Sequence, residues 1–413
     1  MEKRVVVTGM GAISPIGNSI EEFWNSIKEG KCGIDFISNF DNEGMKVKVA
    51  GEVKNFDPTL TIDKKEAKRM DKYSQYAVAA ATEAVEMSKL DLEQLDKSRF
   101  GVMVGSGIGG LGTIEEQVIK MNEKGPSKVA PLFIPMAIIN MAAGNIAIKF
   151  GARGTCTATV TACATSTNCI GEAFRNIKHG YSDVILAGGA EASVTKIGIA
   201  GFSSLKALST SEDPKRASIP FDAERHGFVM GEGAGVLVLE ELEHALKRNA
   251  PIYAEIVGYG STCDANHITA PLVDGEGARL AMQAAMEEGG IDKKDITYIN
   301  AHGTSTSAND KAETRAIKDL FGEQAYDIPV TSTKSMTGHL LGATGAIEAI
   351  ASIEALINNF VPPTVGYKVP DEGLDLNYVP DKGIEKEMKC ALSNTLGFGG
   401  HNAVLCIKKW EGK

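Results

Sequence analysis

Three short runs gather the side chains best suited to chemistry: Val160-Thr161-Ala162-Cys163-Ala164-Thr165, Asn300-Ala301-His302-Gly303-Thr304-Ser305-Thr306 and Lys334-Ser335-Met336-Thr337-Gly338-His339. A thiol placed where a strand turns into a helix of small residues meets unpaired N–H groups. These favour the thiolate and can stabilise an oxyanion on an attacked carbonyl. Two histidines beside glycines can handle protons and developing negative charge. Together they are the equipment for acyl transfer through a thioester on Cys163. Taken singly, each residue has a blander reading. Most free cysteines are small buried hydrophobes, and Cys32, Cys156, Cys169, Cys263, Cys390 and Cys406 are read that way. His179, His226, His244 and His267 read as satisfied core or surface groups. The competing chemistry is zinc held by Cys163, His302 and His339, but no close ligand pair such as H-x-x-x-H accompanies them.

The elements that must position these residues follow from hydrophobic periodicity. Arg4–Thr8, Phe100–Val104, Asp183–Ala187 and Gly235–Leu239 read as buried strands. Asp71–Lys89 and Asn168–His179 carry apolar residues at helical spacing, and Gly180 stops the second helix. The apolar run Ile296–Ala301 reads as a strand that delivers His302 to a sheet edge, whereas His339 is expected to open a helix. Such alternation predicts an α/β fold with largely buried sheets. The pattern then restarts. Ile252-Tyr253-Ala254-Glu255-Ile256-Val257-Gly258-Tyr259-Gly260 echoes the first strand and its Gly-x-Gly turn, and the small-residue segment after His339 echoes the one after Cys163. Two similar halves are expected, 1–250 with the cysteine and 251–413 with the histidines. Gly9-Met10-Gly11 lacks the third glycine of a dinucleotide fingerprint, Ser14 standing there, and no acidic residue ends a second strand at the right distance.

A chain of 413 residues suffices for two cores, and 43% hydrophobic with 23% charged residues suits a soluble globular protein. The net charge of −10 argues against nucleic acid as a partner. Seven irregularly spaced cysteines without a C-x-x-C pair point to reduced thiols in a cytoplasm. The first apolar stretch, broken by Gly9, Gly11 and Pro15, reads as a buried strand and not as a signal peptide. Val129 to Ile148 has the length of a membrane span. It holds Pro131, Pro135, Asn140 and Asn145, which suit a core or subunit-interface segment better.

Thr161-Ala162-Cys163, His302-Gly303-Thr304-Ser305-Thr306, Lys334-Ser335-x-x-Gly338-His339 and Gly397-Phe398-Gly399-Gly400-x-Asn402, in this order, resemble the β-ketoacyl-acyl-carrier-protein synthases, most closely the synthase II group of bacterial fatty-acid synthesis. Val5–Gly17, Pro220-Phe221-Asp222 and Gly231-Glu232-Gly233-Ala234-Gly235 extend the resemblance over essentially the whole chain. It implies a thiolase-like duplicated αβαβα layered fold, a homodimer, and a decarboxylating condensation. No cofactor is implied beyond the phosphopantetheine of acyl carrier protein, the expected partner. By resemblance Cys163 takes the acyl chain, His302 and His339 hydrogen-bond the malonyl thioester, Lys334 supports the site, and Cys163 and Phe398 supply oxyanion N–H groups. Thr304 and Thr306 match pantetheine-binding residues. Ile108, Phe202 and Phe398 match residues lining or gating the acyl pocket, and Phe133 one that reaches it across the dimer. Asn300, Glu313, Glu348 and Ser393 match a structural monovalent-cation site, and Lys65, Lys68, Arg69 and Lys206 the patch that meets the acidic carrier protein.

Three positions depart from the family pattern: His401 after the Gly-rich loop, Ser166 just past the cysteine, and His226 before Gly227-Phe228-Val229. None removes a catalytic group, but the first two bear on pocket shape and chain length. A thiolase would need a second cysteine in a Cys-x-Gly turn near the C-terminus, and none exists. A non-catalytic, chain-length-setting subunit would lack the active cysteine. A discrete polyketide ketosynthase has the same triad and stays open.

Overall fold

The computed structural model describes residues 2–412. Ten strands form its sheet: β1 (Val5–Ile13), β2 (Phe100–Gly105), β3 (Cys156–Thr157), β4 (Val184–Glu191), β5 (Gly233–Glu241), β6 (Ala254–Cys263), β7 (Ile296–Asn300), β8 (Val330–Thr331), β9 (Cys390–Gly397) and β10 (His401–Lys409). The spatial order is β8-β7-β9-β10-β6-β1-β5-β4-β2-β3. Adding five to each strand of the run β1-β5-β4-β2-β3 gives β6-β10-β9-β7-β8, so the second half repeats the topology of the first. The sense of pairing repeats as well: β1–β5 and β4–β5 are antiparallel, β2–β4 and β2–β3 parallel, and so are their counterparts. The halves meet where Val5–Val7 pair with Ala254–Ile256.

Five helices complete the layers: α1 (Lys72–Ser88), α2 (Thr165–Lys178), α3 (Glu276–Gly289), α4 (Ser307–Phe321) and α5 (Thr344–Asn358). Helix α1 covers the outer face of β1 and β5, and α3 that of β6 and β10. Helices α2 and α5 lie between, touching strands of both halves, which gives the αβαβα order. Burial follows position. Helix α5 is buried from Thr344 to Leu356, and its apolar 341–358 segment, the one among the described residues long and apolar enough for a membrane span, is core. The earlier candidate, Val129–Ile148, is broken into short helices, Phe133–Ala137 and Met141–Phe150.

Local chemistry sets the element ends. Asp71 caps α1 by accepting from Tyr73 N–H at 3.1 Å, and Lys89, with φ of 52°, closes it. The Gly-x-Gly turns are explained by packing. A Cβ at Gly9 or Gly11 would lie 2.1 or 1.9 Å from carbonyl oxygens of α1; one at Gly258 or Gly260 would lie 1.9 Å from those of α3. Each pair of glycines lets an outer helix lie directly on its strand.

Candidate active site

Cys163 sits on a tight elbow. Ala162, at φ of 51°, begins a single 3₁₀ turn, Ala162–Ala164, which runs into α2. The second half contains the same elbow: Leu341, at φ of 48°, opens the turn Leu341–Ala343 ahead of α5. Gly342, not His339, therefore stands where Cys163 stands in the first half. The expectation that His339 opens a helix is corrected accordingly. Gly338, at φ of 71°, ends the short helix Lys334–Thr337, and His339 then pairs like a strand residue with Met230. Its N–H donates to Val229 O at 2.7 Å, and its carbonyl accepts from Gly231 N at 2.8 Å.

His302 follows the end of β7, and Glu313 of α4 fixes the turn. One carboxylate oxygen of Glu313 accepts from His302 N and the other from Gly303 N, each at 2.8 Å. The two imidazoles meet edge-to-face, ring centres 5.2 Å apart, and Phe228 stands 5.2 Å from His339. His339 Nδ1 lies 2.8 Å from the Thr344 hydroxyl, while His302 Nδ1 has no protein partner. Thr344, Phe228 and Glu313's turn-fixing role are contributions that sequence periodicity did not mark.

Cys163, His302, His339, Thr304, Thr306, Phe202, Phe398 and Lys206 line one cavity of about 430 Å³. The Thr304 and Thr306 hydroxyls are 2.9 Å apart. Phe202 packs edge-on to Phe228 at 5.5 Å and tilted to Phe398 at 6.4 Å. His226, read from sequence as a satisfied group, also lines this cavity; its Nε2 accepts from Thr210 N at 3.3 Å. A second, shallower cavity of about 400 Å³ is lined by Ile108, Ala137, Ile138, Ile139, Asn140 and Val160 among others. Ile108, which lines this second cavity, packs on the same apolar cluster as Cys163 and Phe202, which line the first. Phe133 is half-buried and lines neither cavity in its own chain.

Electrostatics follow burial. Burial pushes both imidazoles well below the usual histidine value, and the Lys334 charge pushes the same way, so both are neutral at physiological pH. Burial, with a smaller push from the Glu191 charge, raises the Cys163 thiol to about 12, outweighing Lys334 and the N–H groups of Phe398 and Cys163, which favour thiolate. The thiolate favoured by the helix start is thus not the resting form. The reason is desolvation. Both N–H groups are nonetheless at the sulfur, where an attacked carbonyl would be. Lys334 itself is buried in an ion pair with Glu348.

Asn300 and Ser393 are paired across β7 and β9, and their side chains, with Glu348 Oε2, are buried without hydrogen-bond partners. Such unsatisfied, mostly oxygen donors fit a small hard cation. Glu313 fits less well, since both its oxygens already accept backbone N–H groups. Among the described residues, no group of three or more His, Cys, Asp or Glu side chains is arranged to hold a metal. Lys65, Lys68, Arg69 and Lys206 are all exposed, but only Lys206 borders the cavity, and Arg69 is paired with Glu66 at 2.9 Å.

Fold and site together define a condensing enzyme of the thiolase-like class. The chain belongs to the β-ketoacyl synthase family: residues 2–245 match the family's N-terminal domain and 253–368 its C-terminal domain. It is 51% identical to a 3-oxoacyl-[acyl-carrier-protein] synthase 2 of Synechocystis and 54% identical to one of Staphylococcus aureus, covering 99% of both chains in each case. Similar solved structures include a β-ketoacyl synthase from Burkholderia phymatum, with 35% identity, a TM-score of 0.92, and 99% of this chain and 100% of that one covered. A type II polyketide acyl-carrier protein in complex with its ketosynthase matches at 35% identity and a TM-score of 0.93, covering 100% of both chains.

Proposed function

We propose that the chain is an acyltransferase that elongates fatty acyl chains by decarboxylating Claisen condensation with malonyl-acyl-carrier protein. Cys163 displaces the carrier thiol from an acyl thioester, and the cysteine's proton leaves with that thiol. Malonyl-carrier protein then binds. Carbon dioxide departs, its bonding electrons pass into the thioester enolate, and the enolate carbon attacks the acyl-Cys163 carbonyl. The thiolate leaves, takes a proton, and a 3-oxoacyl-carrier protein is released.

The observation that carries this reading is one cavity lined by a thiol and two neutral imidazoles. A neutral imidazole donates one hydrogen bond to an enolate oxygen without protonating it. With the Thr344 hydroxyl donating to Nδ1, His339 keeps its Nε2–H for that use. Burial, with the Lys334 charge pushing the same way, keeps both rings neutral, and the N–H groups of Cys163 and Phe398 accommodate the oxyanion formed during acyl transfer. Thr304 and Thr306 offer hydroxyls to the pantetheine arm, and Ile108, Phe202 and Phe398 bound the acyl chain. Asn300, Ser393 and Glu348, with Glu313 adjoining, would hold a structural monovalent cation; no step depends on it. Lys65, Lys68, Arg69 and Lys206 would meet the carrier protein. The fatty-acid reading is preferred to a polyketide one because the relatives at 51% and 54% identity are each named 3-oxoacyl-[acyl-carrier-protein] synthase 2, whereas the polyketide ketosynthase match is 35% identical.

A homodimer and a cytoplasmic location belong to the same proposal. β3 ends the sheet with Cys156 and Thr157 exposed, and Leu132, Ile134, Ile138 and Val160 are exposed in the segments flanking it in sequence. All seven cysteines are free.

The test is acyl-carrier protein added with malonyl-carrier protein, products resolved by mass. A product two carbons longer, with an acyl adduct on Cys163, is expected. His302→Ala and His339→Ala should slow malonyl decarboxylation by about 10²–10³-fold while sparing Cys163 acylation. An adduct elsewhere, or unchanged decarboxylation in both variants, rejects the assignment.

A further inference from the structure

One buried carboxylate beside the site takes no direct part in the steps above, although its charge helps hold the Cys163 thiol up. Glu191, at the end of β4, is fully buried and touches no cation, yet accepts five hydrogen bonds. Oε1 accepts from Ser106 Oγ at 2.9 Å, Ser193 Oγ at 3.0 Å and Ile108 N at 3.3 Å. Oε2 accepts from Gly107 N at 2.8 Å and Gly342 N at 3.0 Å. Burial pushes its carboxyl up, and these donors pull it back.

The internal duplication explains where this carboxylate sits. The end of β9 packs against the elbow of Cys163, and the end of β4 packs in the same way against the elbow of Gly342. At the first elbow, N–H groups are kept for a substrate oxyanion. At the second, the Gly342 N–H is occupied by an oxygen of the protein's own Glu191. The second elbow has thereby become a fastening point, and what it fastens is the Ser106–Gly109 turn. That turn carries Ile108, which borders the second cavity and packs on the apolar cluster that includes Cys163 and Phe202.

We propose that Glu191 is a positioning residue for acyl-chain selectivity: by tying the Ser106–Gly109 turn to the Gly342 elbow, it holds Ile108 between the second cavity, which it lines, and the apolar cluster on which Cys163 and Phe202 pack. This rests on the condensing-enzyme reading and deepens it. Chains that reach past Ile108 meet a fixed side chain, while shorter chains do not.

Glu191→Gln tests the arrangement with little change of volume. An amide has one acceptor oxygen and one donor group. Its oxygen can serve the Gly107 and Gly342 N–H groups, which have no other acceptor. The NH₂ then faces two serine hydroxyls, which can rotate to accept, and the Ile108 N–H, which cannot. The substitution therefore loosens Ile108 in particular. The measurement is Cys163 acylation from hexanoyl- and hexadecanoyl-carrier protein, with iodoacetamide alkylation of Cys163 as a check on the site. Glu191→Gln should raise the long-to-short ratio by about tenfold; alkylation should persist and speed up, because the Glu191 charge helps hold the Cys163 thiol up, and that effect is common to both chain lengths and cancels in the ratio. Ile108→Ala should raise the same ratio, and Glu191→Gln should add nothing on that background. Ser106→Ala, which removes one donor from the carboxylate, should move the ratio the same way to a smaller extent, and it decides the matter if Glu191→Gln does not fold. An unmoved ratio, equal losses for both chains, or full additivity with Ile108→Ala overturns the proposal. A wild type that forms no Cys163 adduct with either chain overturns the condensing-enzyme reading, and this proposal falls with it.

Discussion

Cys163 shows how a residue's surroundings can oppose the expectation drawn from its neighbours in sequence. The start of a helix stabilises thiolate, and the N–H groups that do so are in place, but removing the sulfur from water costs more than they return. The consequence is kinetic. With the thiol pushed up to about 12, the thiolate fraction grows tenfold for each pH unit throughout the working range. Alkylation of Cys163 by iodoacetamide should therefore still be rising at about pH 10, with no plateau near neutrality, when rates are followed by mass spectrometry. A plateau below about pH 8 would show that the helix start outweighs desolvation after all. The histidines differ because desolvation favours their useful form: a neutral ring can donate to an enolate and is not consumed by protonation.

At the scale of elements, two repeated elbows have diverged in purpose. Each needs a residue in left-handed conformation, Ala162 or Leu341, although neither is a glycine, and the cost is accepted because helix and strand on either side fix the turn. At the first elbow the side chain after the strained residue reaches into a cavity. At the second there is no room for a side chain: a Cβ on Gly342 would stand 2.3 Å from Gly107 N and 2.8 Å from Glu191 Oε2. Gly342→Ala should destabilise the protein by about 1–3 kcal/mol, because the obstacle is backbone that cannot swing aside. Urea unfolding would register this as a lower midpoint with an unchanged slope. An unchanged midpoint would mean that the second elbow yields easily and does not fasten the Ser106–Gly109 turn.

For the whole molecule, charge and apolar surface make separate predictions. A protein of net charge −10 repels an acidic carrier unless a local patch draws it in. Lys65→Glu together with Lys206→Glu should raise KM for carrier-bound substrates and flatten its dependence on salt, leaving Cys163 acylation by a small soluble thioester nearly unaffected. Arg69 should matter less than Lys65, since Glu66 already compensates it. Equal effects on both substrates would assign these lysines to the fold, not to docking. Ile134, 59% exposed, tests the dimer: Ile134→Glu should shift sedimentation from dimer towards monomer, whereas an unchanged profile would place the subunit contact elsewhere.

The sequence by itself determined which residues carry the chemistry and which elements hold them. Cys163, His302 and His339 stand in short runs of glycine and small residues, and the α/β alternation with its restart at residue 252 is written in local hydrophobic period and turn chemistry, which act over a few residues. Element ends were legible to within a few positions where a cap marks them, as Asp71 and Lys89 do. The path of the chain at His339 was not, because a glycine and a strained leucine place that residue in a strand-like bridge to Met230, 109 positions away in sequence. The meaning of Gly9-x-Gly11 was also hidden, since it depends on a helix that begins at Lys72. Only the tertiary structure decided that Glu191 gathers donors from the distant 106–108 turn and Gly342 as well as from neighbouring Ser193, that His226 reaches the cavity, and that burial pushes the Cys163 thiol up. Each of these depends on burial and on contacts between the two halves, and such quantities have no local period from which to be read.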